Sequence, residues 1–99
     1  MAGVYIANGA SYNTLQSSNI PQNGQNGVMI WDGQYNVITG VIATGTVQSA
    51  GILLFGTATA YNTVSNSLAA YASSGVGIMI YAGHDNIVEY SEAHSNNGA

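Results

Sequence analysis

Few residues in this sequence are equipped for acid–base or metal chemistry, and most of them lie close together near its end. His84, Asp85, Glu89, Glu92 and His94 include both histidines and three of the four acids, the fourth being Asp32. Side chains of these types bind metal ions or move protons. On an extended strand, however, Asp85 and Glu89 stand about 13 Å apart, whereas inverting glycosidases hold their two carboxyls ~6.5–9.5 Å apart. Glu92 and His94 alternate onto one strand face, and two ligands do not complete a metal site. Four scattered acids also offer too few oxygens for calcium. We read the cluster as polar residues on solvent-exposed bends, and expect no catalytic residue, no metal and no cofactor.

The remaining charge pattern narrows the partners. The chain has no Lys and no Arg, only 4% charged residues, and a net charge of −4. Phosphate recognition rests on cationic side chains and counterion release, so neither nucleic acid nor an anionic membrane is expected as a partner. There is no Cys, which removes disulfides and thiolate metal sites and leaves the redox compartment open. No run approaches the ~18 apolar residues of a membrane span. Met1-Ala2-Gly3 lacks a basic or apolar signal core and reads as a start placed before an excised segment. With so little charge for colloidal repulsion, self-association is expected.

What must position these residues is a repeat. Four segments open Gly-apolar-x-apolar: Gly3-Val4-Tyr5-Ile6, Gly27-Val28-Met29-Ile30, Gly51-Ile52-Leu53-Leu54 and Gly77-Ile78-Met79-Ile80, with glycines 24, 24 and 26 residues apart. Each segment then reaches an Asn followed two residues later by an aliphatic: Asn13 and Leu15, Asn36 and Ile38, Asn62 and Val64, Asn86 and Val88. Tyr12, Tyr35 and Tyr61 precede three of those asparagines and Asp85 the fourth. Val, Ile, Thr, Asn and Gly suit strands and turns rather than helices. Asn8-Gly9, Asn23-Gly24 and Asn26-Gly27 also fit a hairpin meander, but a meander does not need the same strand and Asn to recur with this period. We therefore expect an all-β, single-stranded parallel β-solenoid spanning 1–99, of about four coils of 24–26 residues. Coils start near 3, 27, 51 and 77, with an incomplete fifth at 98. Alternation points Val4, Ile6, Val28, Ile30, Ile52, Leu54, Ile78 and Ile80 inward. Leu15, Ile38, Val64 and Val88 form a second wall, and the equivalent asparagines stack as a ladder.

The pattern Gly-Ile-x-Ile, then Asn-x-Val, then Asn-rich bends such as Ser95-Asn96-Asn97-Gly98, resembles the parallel β-helix repeat family over about Gly3 to Ala99. Pectate lyases, polygalacturonases, alginate-active enzymes and many phage tailspikes share that fold. The resemblance implies a right-handed coil, an extracellular setting and polysaccharide handled on the outer strand face. It is specific for the fold and not for an activity. Lyase relatives use Arg or Lys as base or to neutralise the substrate carboxylate, and neither residue exists here. Asp32 has no acid at the equivalent places in adjacent coils, so a galacturonase-like group of aspartates is absent. Ice binding would need threonines in register, but Thr44 and Thr46 lie 17 and 19 residues after their Gly, and Thr57 and Thr59 only 6 and 8. Relatives are several times longer and capped. This chain is therefore expected to be a fragment, or to have its ends covered by copies of itself.

The outward residues of the first strand are the binding candidates. Trp31, Phe55 and Tyr81 form one row, with Ala7 in the first coil, and Tyr5, Met29, Leu53 and Met79 form the adjacent row. An apolar patch of this kind is not left bare on a monomer. Aromatics and Met are enriched at protein interfaces, and the face offers few of the polar groups that a sugar site adds. We therefore expect a homo-oligomeric, non-catalytic module, with polysaccharide binding or weak hydrolysis on an aromatic platform as the alternative.

Overall fold

The computed structural model describes residues 3–21, 24–46, 49–73, 75–94 and 96. Among these residues twelve short strands follow one another, three to a coil. The first coil contributes β1 (Val4–Ile6), β2 (Thr14–Gln16) and β3 (Asn19–Pro21), and the second β4 (Val28–Trp31), β5 (Val37–Thr39) and β6 (Ile42–Thr44). The third contributes β7 (Ala50–Phe55), β8 (Thr63–Ser65) and β9 (Leu68–Ala70), and the fourth β10 (Val76–Tyr81), β11 (Ile87–Glu89) and β12 (Glu92–His94). Each strand pairs in parallel with its counterpart one coil away, giving three four-stranded sheets: β1-β4-β7-β10, β2-β5-β8-β11 and β3-β6-β9-β12. A hairpin meander would pair neighbours antiparallel, so the expected β-solenoid is the fold. The proposed fifth coil at 98 lies outside the described residues.

Register places like on like. Val4, Val28, Ile52 and Ile78 form one inward column, and Leu15, Ile38, Val64 and Val88 another. Val28, Ile30, Ile38, Ile52, Leu54 and Val64 are fully buried, and Val4, Ile6, Leu15 and Ile78 pack partly buried against them. Burying each such side chain contributes about 1.5–3 kcal/mol. Two residues expected in the core are open instead: Ile80 is 42% and Val88 40% exposed. Both sit in the fourth coil, which has a described coil on one side only. The third sheet supplies a wall that the repeat did not reveal, the column Ile20, Ala43, Ala69 and Ala93.

That small-residue wall explains the repeated glycine. A Cβ on Gly51 would stand 2.9 Å from both the Ala69 Cβ and the Gly77 carbonyl oxygen, and one on Gly27 only 2.7 Å from the Ala43 Cβ. The first and third sheets converge here to backbone contact, and only Gly against Ala fits.

Corners between strands are made by left-handed residues. Asn8, Asp32, Gly56 and Ala82 end the first-sheet strands, Tyr12, Tyr35, Tyr61 and Asp85 precede the second sheet, and Ser17, Gly40, Asn66 and Tyr90 follow it, all with positive φ. Non-Gly residues adopt this conformation at roughly 1–2 kcal/mol each, offset here by the asparagine ladder. Asn36 donates its backbone N–H and its side-chain amide to Asn62 Oδ1, at 2.8 and 3.0 Å. Asn13 does the same toward Asn36, and Asn62 toward Asn86. The second amide hydrogen turns to a corner carbonyl of the preceding coil: Asn36 to Ala10, Asn62 to Gly33, Asn86 to Thr59. Buried polar groups at the corner are thereby satisfied.

Candidate functional site

The first sheet carries both expected rows on its outer face. Tyr5, Met29, Leu53 and Met79 stand in one register, and Trp31, Phe55 and Tyr81 in the next. The structure brings all seven together because one parity along β1, β4, β7 and β10 points outward in every coil. Tyr5 and Trp31 are exposed, as is Tyr81, while Phe55, Met29 and Met79 are half-buried. Leu53 is only 5% exposed, so it offers little surface to a partner.

The rings of this face are engaged with one another. Tyr5 and Trp31 lie 6.4 Å apart and tilted by 37°, Trp31 meets Phe55 edge-on at 5.6 Å, and Phe55 stacks on Tyr81 at 5.3 Å with 13° between planes. A sugar platform presents free ring faces, whereas Phe55 and Tyr81 cover each other. Polar chemistry beside the row is similarly committed. Asp32 Oδ1 accepts the Ala58 N–H at 3.2 Å, the Asp32 N–H donates to Thr59 Oγ1 at 2.8 Å, and the Gln34 side-chain amide donates to the Ala58 carbonyl. Asp32 thus ties down the corner Gly56–Thr59, where the third coil carries its additional residues, using its backbone N–H and one carboxylate oxygen.

The acidic and histidine residues of the fourth coil do not converge. His84 Nδ1 and Asp85 Oδ2 are 2.8 Å apart, both on exposed side chains. Glu89 belongs to the second sheet, and Glu92 and His94 share a face of the third, as alternation predicts, across a corner from the others. His84 and His94 set ring edges against Tyr61 and Tyr71. Among the described residues no group of three or more His, Cys, Asp or Glu is placed to hold a metal ion.

A second aromatic column was not anticipated as a unit. Tyr12, Tyr35 and Tyr61 stack face to face at 5.1 Å intervals, with 4° and 9° between planes. The signal was present in their fixed place before the ladder asparagine. What that place conceals is the left-handed backbone (φ 61°, 56° and 57°) that turns the three rings outward in parallel at a corner. Both faces of Tyr35 are spent on its neighbours, while Tyr12 keeps its outer face open and Tyr61 meets His84 on its other side.

Comparison with known proteins agrees with this architecture. No curated protein and no solved structure showed significant similarity to the chain. A family model described as the right-handed beta helix region matches residues 2–99. With three parallel sheets wound in about four turns and this match over nearly its whole length, the chain belongs to the right-handed β-helix family.

Proposed function

We propose that the chain is a non-catalytic, self-associating β-helix module that pairs with a second copy through the outer face of its first sheet. We place its origin in an extracellular carbohydrate-active or adhesin-like protein. The observation that carries this reading is the clustering of exposed Tyr5, Trp31 and Tyr81 with half-buried Met29, Phe55 and Met79 on one sheet face. Burying such a face removes apolar area from water, and Trp, Tyr and Met are residues that anchor interfaces. The dispersal of the acids and histidines, and the bond from Asp32 to the corner of the next coil, favour association over hydrolysis.

Light scattering after size exclusion, across a concentration series and with tryptophan emission recorded on the same samples, tests the reading. A discrete oligomer with blue-shifted Trp31 emission is expected. Trp31→Ala should weaken association by about 30-fold or more, the loss typical of a central aromatic anchor. A wild-type monomer with solvent-exposed Trp31 emission overturns the interface, and retention of that monomer on a glycan matrix would move the site to polysaccharide.

A further inference from the structure

Seven tyrosines occur in the chain. Among the described residues, the rings that pair tyrosine with tyrosine are Tyr12–Tyr35 and Tyr35–Tyr61, each stacked at 5.1 Å with 4° and 9° between planes. Tyr5 neighbours Trp31, Tyr81 stacks on Phe55, and Tyr71 meets the ring of His94. Backbone holds the column as firmly as ring contact does. Its three tyrosines share nearly the same positive φ, and each donates its N–H to a carbonyl of the next coil: Tyr12 to Gln34, Tyr35 to Ala60 and Tyr61 to Asp85. Equivalent backbone and parallel planes set the phenol ends side by side, one strand spacing of ~4.8 Å apart. Tyr35 and Tyr61 belong to the two inner coils and are 45% and 48% exposed, so an oxidant in solution reaches both.

We propose that this column is a site of oxidative cross-linking, in which Tyr35 couples to a stacked neighbour, Tyr61 or Tyr12, as dityrosine. The co-reactant is hydrogen peroxide acting through a haem peroxidase. Each phenol gives one electron and its hydroxyl proton to the oxidant. The two phenoxyl radicals then join through the Cε carbons beside their oxygens. Each joined carbon releases its hydrogen as a proton while a proton returns to each ring oxygen, which restores both aromatic rings. One peroxide takes up the two electrons and two protons and leaves as two waters, and the chain becomes lighter by two hydrogens. Register makes the coupling intramolecular, because the second radical is held beside the first rather than met by diffusion. The bond joins neighbouring coils covalently in a chain that has no cysteine to do so.

Treatment of the purified chain with peroxidase and hydrogen peroxide, at a dilution where light scattering finds monomer, tests the site. Dityrosine emission should appear in the monomer band of a denaturing gel. The intact mass of that band should fall by two hydrogens, apart from oxygen added at methionine. Tyr35→Phe keeps a ring in the stack without a phenol, and should reduce the emission to background at unchanged far-UV circular dichroism. Tyr12→Phe combined with Tyr61→Phe should do the same, since it leaves Tyr35 without a partner. Tyr5→Phe, Tyr71→Phe, Tyr81→Phe and Tyr90→Phe combined should leave the emission as it was, and so should Trp31→Ala, which separates this site from the first-sheet face. A monomer band without dityrosine, whether emission is absent or confined to larger species, overturns the proposal. Emission that survives Tyr35→Phe, or that is lost in the four-tyrosine variant, overturns it as well.

Discussion

Asn62 makes a compact case for what a single residue does in this fold. Its Oδ1 accepts twice from Asn36, and its amide donates to Gly33 and to Asn86 Oδ1, all without solvent access at Asn62 itself. Truncation to Ala strips partners from groups on the coils before and after it, Asn36 and Gly33 on one side and Asn86 on the other, and a buried polar group left unpaired costs about 1–3 kcal/mol. Asn62→Ala should lose about 3 kcal/mol or more in urea unfolding. Asn13→Ala, at the exposed rim with amide bonds only to Ser11 and Asn36, should lose about 1 kcal/mol. The four asparagines were legible in the sequence because each precedes an aliphatic by two. Their direction was not, since an amide's donor and acceptor ends are set by which neighbour is in reach. Asp32 was legible as an isolated acid, yet its service to the Gly56–Thr59 corner depends on a contact across coils that no local pattern records.

At the scale of elements, spacing exposed what alternates and hid what is small. The walls of the first and second sheets could be read because Ile, Leu and Val recur at fixed offsets. The third wall is built on Ala43, Ala69 and Ala93, and alanine carries no strand signal of its own. Its presence is nonetheless implied by the glycine that opens each coil. Gly51→Ala should cost about 1–3 kcal/mol, as overpacking does, since its Cβ would press on both Ala69 and the Gly77 carbonyl. Adding Ala69→Gly should recover part of that loss by freeing the Cβ contact while leaving the carbonyl contact, a coupling that a double-mutant cycle reads directly. The tyrosine corners were seen as a sequence column but not as a ring stack, because positive φ at Tyr is against expectation.

For the whole molecule the deciding quantity is charge. Two copies meeting face to face each bring a net −4 at pH 7 with no cation to answer it. Acidifying toward the isoelectric point near 4.3 removes that repulsion and should lower the concentration at which the lateral oligomer forms by several-fold, with added salt acting in the same direction. Light scattering at pH 7, 6 and 5 checks this, and weaker association at the lower pH would count against a purely apolar contact. The fold as a whole was the most legible level, since a solenoid writes its period into the chain. The exposure of Ile80 and Val88 was not, because a column of similar aliphatic residues does not say which member has a described neighbour on one side only.

The one-way asparagine ladder has an electrical consequence. Strand peptides alternate in direction and largely cancel, whereas the four side-chain amides are aligned, so their dipoles add along the solenoid axis with the positive pole at the fourth coil. Asp85, Glu89 and Glu92 sit at that pole, just as anions settle at the N-terminus of a helix. The three acids of the fourth coil thus lie at the end of the polar spine toward which its asparagines direct their donors.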